Sequence, residues 1–119
     1  MRIFRVPLDA PESPVAIAGI PNLVTLPDDM EATRSDTLFV ADHAFGAINK
    51  VDPRTGAACT IITGLIKPGS TRNPPDGTTS VRIAPDGDSW ALYLTAMDGT
   101  LRRLRPPADI DLTPATPTR

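Results

Sequence analysis

A strand–turn–strand pattern returns along this 119-residue chain at intervals of about fifty residues. Thr37-Leu38-Phe39-Val40-Ala41-Asp42 leads through a turn into Ala47-Ile48-Asn49-Lys50-Val51-Asp52-Pro53. Ala91-Leu92-Tyr93-Leu94-Thr95-Ala96 leads in the same way into Gly99-Thr100-Leu101-Arg102-Arg103-Leu104-Arg105-Pro106. The second half of the unit also stands alone near the start, as Arg2-Ile3-Phe4-Arg5-Val6-Pro7, so Ile3, Ile48 and Leu101 hold matching positions. One such unit cannot bury its own apolar face and must stack on others like it. Short strands at this period are the pattern of β-propeller blades, and the chain holds too few of them to close a ring.

Fourteen prolines and eight glycines interrupt the chain every few residues. Proline costs about 3 kcal/mol in a helix interior, so helices are not expected and the class is all-β. With 40% hydrophobic and 22% charged residues, the composition is that of a folded domain rather than a disordered one. The formal net charge of −2 offers no basic stripe for nucleic acid. Arg102, Arg103 and Arg105 divide between two faces at strand spacing and read as a solvated outer strand. No apolar run approaches the roughly 20 residues that span a bilayer, so no membrane partner is expected, and the N-terminus lacks the apolar core of a signal peptide. Localisation stays open. Cys59, the only cysteine, lies in the apolar run Ala58-Cys59-Thr60-Ile61-Ile62 and reads as a small buried hydrophobe.

The expected organisation is a C-terminal part of a propeller over residues 1–106, with blade pieces at 2–20, 27–64 and 78–106, followed by a loose proline-rich tail at 107–119. The pieces carry two, four and three strands, and the last lacks a closing strand. Open sheet edges would then favour self-association. A nine-stranded sandwich is the alternative architecture.

Within this frame, Pro27-Asp28-Asp29-Met30, Leu38-Phe39-Val40-Ala41 and Phe45-Gly46-Ala47-Ile48-Asn49-Lys50-Val51-Asp52-Pro53-Arg54-Thr55-Gly56 resemble one blade of the senescence-marker-protein/gluconolactonase family, the regucalcin-like lactonases. That family typically shows Pro-Asp-Gly-Met, a strand ending in Val-Ala, a Gly-Gly turn and Arg-Leu-Asp-Pro-x-Thr-Gly. Thr78-Thr79-Ser80-Val81, Ala91-Leu92-Tyr93-Leu94-Thr95 and Gly99-Thr100-Leu101-Arg102-Arg103-Leu104 resemble its last blade, so the likeness covers about residues 20–106. Strictosidine-synthase-like and paraoxonase-like propellers share the rhythm.

The resemblance implies a six-bladed propeller with one divalent cation, calcium or zinc-like, on its axis, held by a glutamate, an asparagine and an aspartate from different blades. It implies a lactone or ester as small-molecule substrate. A cation of this kind polarises a carbonyl and acidifies a bound water, and a carboxylate can take the proton. The family aspartate maps onto Asp28, the candidate metal ligand and catalytic residue. Asp29 replaces the family glycine, which leaves open which carboxylate faces the axis. As a plain residue, Asp28 reads as an ordinary Pro-Asp turn.

Asp29, His43, Thr78 and Thr79 are candidates for the mouth. His43 follows the second strand of its blade, and the two threonines stand one blade after Asp28. A plain loop histidine is the simpler reading of His43. Asn22 reads as a turn residue, Asp42 and Asp98 as turn caps, and Asp86-Gly87-Asp88 as a hairpin turn, since a calcium loop's downstream acid is missing. One carboxylate is not a metal site, so this chain alone should bind metal weakly and lack activity. Two functions follow: part of a metal-dependent lactonase, or a non-catalytic propeller module for binding or scaffolding.

Overall fold

The computed structural model describes residues 2–20, 26–73 and 76–115. It contains no helix among them and consists of nine strands in three antiparallel sheets. The first sheet pairs β1 (Arg2–Arg5) with β2 (Val15–Gly19). The second runs β3 (Pro27–Ala32), β4 (Leu38–Asp42), β5 (Ala47–Val51), β6 (Ala58–Ile62) in spatial order. The third runs β7 (Thr78–Asp86), β8 (Ser89–Ala96), β9 (Leu101–Leu104). The expected counts of two, four and three strands are therefore those observed.

The four-stranded sheet is the middle layer. In β4 and β5 nearly every residue is buried, because the sheet is covered on both faces and both sets of alternating side chains are mostly apolar. Phe39, Ala41 and Ile48 point to the third sheet and pack with Val81, Leu92 and Leu94. Val40 and Val51 point the other way and pack with Ile3 and Ile20. A one-residue slip of β4 would exchange these two sets, so burial on both sides fixes the register.

Tight turns set the hairpins. Asp36 connects β3 to β4 at φ 63°, the one described non-glycine residue with positive φ. Short polar side chains tolerate that left-handed region better than others. Gly77 packs its Cα against the backbone carbonyl of His43, where any side chain would collide with main chain. This close approach seats the start of β7 beside the loop that follows β4.

Two expectations are corrected. The tail is not loose. Leu112 is buried and joins the core between the second and third sheets, with Ile110 packed against it. Thr33 bridges Pro114, Arg34 N donates to Thr113 O at 2.9 Å, and Ala115 N donates to Ala32 O at 3.2 Å. The prolines stop a helix but leave an extended segment free to pair at the far end of β3. Residues 116–119 lie outside the described residues. Cys59 is exposed rather than buried, because β6 is an edge strand whose outer face nothing covers.

Candidate functional site

The start of β3, the end of β4 and the start of β7 lie at one end of the stacked sheets. β3 pairs antiparallel with β4 so that Pro27 stands opposite Asp42, and β7 packs beside both strands. Asp28, Asp29, His43, Thr78 and Thr79 are thereby gathered at this end, which we call the mouth. Asn22 falls outside the described residues.

The register of β3 decides between the two carboxylates. Pairing runs from Pro27 opposite Asp42 directly to Asp29 opposite Ala41, so Asp28 is the extra residue of a β-bulge. Asp28 is exposed. Asp29 turns inward. Its Oδ2 accepts from Ser80 Oγ at 2.6 Å, Val81 N at 3.2 Å and Arg82 Nη1 at 2.6 Å. Burial pushes the Asp29 carboxyl up, but the bonds from Ser80, Val81, Met30 and Arg82 outweigh it and hold the group below the usual carboxylate range. Asp29 is thus a clasp between the second and third sheets. The bulge forms without left-handed backbone, so no glycine is needed here.

The other mouth candidates divide by burial. Thr79 keeps a half-buried position, its hydroxyl 3.3 Å from Thr95 O. Thr78 is buried with no partner for Oγ1, and His43 is buried with none for Nδ1. His43 N donates to Leu26 O at 2.8 Å. Asp42 caps its turn as expected: Oδ1 accepts from Ala44 N at 3.0 Å and from Leu26 N at 3.2 Å. Asp42 and His43 thus grip Leu26 from both sides and fix the chain two residues ahead of Asp28.

Asp42 Oδ2 and Asn49 Nδ2 are also buried without partners, while Asn49 Oδ1 accepts from Thr60 Oγ1 at 2.7 Å. Among the described residues the four such atoms are those of Asp42, His43, Asn49 and Thr78. Unsatisfied buried polar groups are few in folded proteins, and each calls for a water, an ion or a functional role. Asn49 is not among the candidate residues named from the sequence. Its signal was a polar side chain on the same face as Val40 and Val51 in a strand otherwise apolar there.

At the opposite end, Asp86 closes the β7–β8 hairpin as an expected turn residue. Arg105 Nε and Arg103 Nη1 both donate to its carboxylate. The Arg105 bond and both positive charges hold it below the usual range against the opposing effect of burial. Asp98 caps its turn through Thr100, with Arg102 on its other oxygen at 3.2 Å. Each arginine of the cluster is thus paired with a carboxylate of its own sheet.

Among the described residues no group of three or more His, Cys, Asp or Glu converges to hold a metal ion. Asp28 brings one carboxylate, and calcium needs six or more oxygens while zinc needs at least three protein ligands. One chain by itself therefore does not fit the cation that the resemblance implies. No described helix is long and apolar enough to cross a membrane. Comparison with protein-family profiles, with curated proteins and with solved structures gives no match.

Proposed function

We propose that the chain forms about two blades, plus two strands of a preceding blade, of a six-bladed, gluconolactonase-like propeller and contributes Asp28 as one ligand of an axial divalent cation. The observation that carries this reading is the opposite fate of two adjacent carboxylates. Asp29 is consumed by Ser80, Val81 and Arg82, whereas the bulge presents Asp28 to solvent at the mouth, beside the inner strand of the next sheet. The stacking of sheets at the period of the sequence repeat supports the architecture, and the Pro27-Asp28-Asp29-Met30 motif supports the lactonase-like chemistry.

The test is made in the assembled propeller. Asp28→Asn is expected to weaken cation binding and lactone hydrolysis by at least about 100-fold, beyond what loss of an outer hydrogen-bond partner costs a metal site. Asp36→Asn, at the other end of β3, is the control. Equal effects of the two substitutions would remove Asp28 from the site.

A non-catalytic propeller module for binding or scaffolding is the second reading. It is favoured by the burial of His43 and Thr78, which takes two of the mouth candidates out of reach of a substrate. Cation binding that is indifferent to Asp28 would favour this module.

A further inference from the structure

Two of the four buried polar atoms without a partner belong to the strands of the middle sheet. They are Asp42 Oδ2, at the end of β4, and Asn49 Nδ2, in β5. Both residues are 0% exposed. The register puts them on one face. Val40 stands opposite Asn49 and Asp42 opposite Ala47, so Asp42, two residues beyond Val40, shares the side of the sheet that Asn49 occupies. On that side Val40 and Val51 pack with Ile3 and Ile20. Asp42 and Asn49 are diagonal neighbours across the β4–β5 ladder, a relation that sets Cα atoms about 7–8 Å apart. Their polar groups are near enough for one small molecule to touch both, and no direct bond joins them.

The bonds that each residue does make fix which atom is left over. Asp42 Oδ1 accepts from Ala44 N and Leu26 N. Asn49 Oδ1 accepts from Thr60 Oγ1. What remains is an acceptor on Asp42 and an NH2 donor on Asn49. An ion suits only one of the two. A cation would face the Asn49 N–H groups, and an anion would face the Asp42 carboxylate. A small neutral group that donates as well as accepts suits both. The hydrophobic neighbours on this face, Ile3, Ile20, Val40 and Val51, offer no side-chain polar partner. Leaving both atoms bare would cost the full desolvation of a carboxylate oxygen and an amide, and folded proteins commonly meet such pairs with a buried water that makes about three hydrogen bonds.

We propose that Asp42 and Asn49 hold one internal water on the face of the middle sheet that packs against the first. The water donates to Asp42 Oδ2 and accepts from Asn49 Nδ2. This site stands independently of the propeller and cation readings. Its consequence at the mouth is positional. Asp42 Oδ1 holds the Leu26 amide, two residues ahead of Asp28, and the water ties the other oxygen of the same carboxylate to β5. A chain of bonds then runs from Thr60 through Asn49, the water and Asp42 to Leu26. Asp42 and Asn49 act in it as positioning residues.

NOE and ROE spectra recorded at the water frequency on the isotope-labelled full chain test this. The wild type is expected to show cross-peaks from water to the Asn49 side-chain amide protons, of opposite sign in the two spectra, which marks a bound water rather than proton exchange. Water relaxation dispersion counts long-lived internal waters, and Asn49→Leu, which removes the donor at similar size, is expected to lower that count by one. In the same variant the Leu26 amide is expected to exchange at least about 10-fold faster with solvent, while the amide of Ala96, bonded to Thr100 O in the third sheet, keeps its rate. The wild-type spectra decide the matter even if the variant fails to fold. No water cross-peak at Asn49, or a water count unchanged by Asn49→Leu, would overturn the site. Added calcium chloride that shifts the Asn49 amide signals and removes the water cross-peak would put a cation there and overturn it as well. Equal acceleration at Leu26 and Ala96 would overturn the tie to Leu26.

Discussion

The middle sheet and the third sheet are built from nearly the same strand pair, yet their exposures differ. Ile48 is fully buried and Leu101 is among the most exposed large apolar residues described. The flanking residues Phe39 and Tyr93 follow the same trend, buried in one and half-buried in the other. The strands pair in matching registers. Burial here is a property of the neighbouring sheet, and the repeat shows where a neighbour is wanted before it shows whether one is present.

The comparison is broken most severely at the contact between these two sheets. Leu92→Ala removes a fully buried side chain shared by the sheets and is expected to cost about 2–5 kcal/mol, read from urea unfolding. An effect under about 1 kcal/mol would mean that the third sheet does not pack on the middle one. Leu112→Ala comes next, at about 2–3 kcal/mol, since this residue seals the same core from the tail. A loose tail would give no effect.

Asp29→Asn sharpens the comparison electrostatically, because its clasp spans the two sheets. A loss of about 1 kcal/mol is expected, allowing for partial exposure of the group. The pH dependence has a definite sign. The folded state holds the Asp29 carboxyl below its unfolded value, so its contribution is complete above about pH 4 and is lost as pH falls through the folded value. Asp86 acts in the same direction through Arg105 and Arg103. Thermal melts from pH 6 to pH 2 should therefore fall less steeply in Asp29→Asn than in the wild type; identical slopes would show that the clasp does not form. The smallest effect is expected for the exposed Leu101→Ala, within about 0.5 kcal/mol of the wild type.

Much of this arrangement was legible in the residues. Alternation and turn chemistry located all nine strands, and Asp42 and Asp98 proved to cap turns, because an aspartate two residues ahead of a free backbone N–H is a local device. What could not be read locally depends on distant chain. The partners of Asp29 lie more than 50 residues away, in Ser80, Val81 and Arg82. The burial of Leu112 depends on a cleft that exists only once the sheets stack, and the proline content of its segment pointed the other way. Cys59 sits in an apolar run, but being on an edge strand decides its exposure. The β-bulge that separates Asp28 from Asp29 is a matter of register between β3 and β4, to which two adjacent aspartates give no clue.

The central claim is that, among the described residues of the mouth, Asp28 is presented to solvent while the adjacent Asp29 is spent on the contact with the third sheet. Titration of the isotope-labelled chain with manganese(II), followed by paramagnetic broadening of backbone amide signals, tests it most directly. The account predicts broadening centred on Pro27–Met30, extending to Thr78 and Thr79, and abolished by Asp28→Asn. Broadening centred on Asp86–Asp88, or an unchanged pattern in Asp28→Asn, would contradict it.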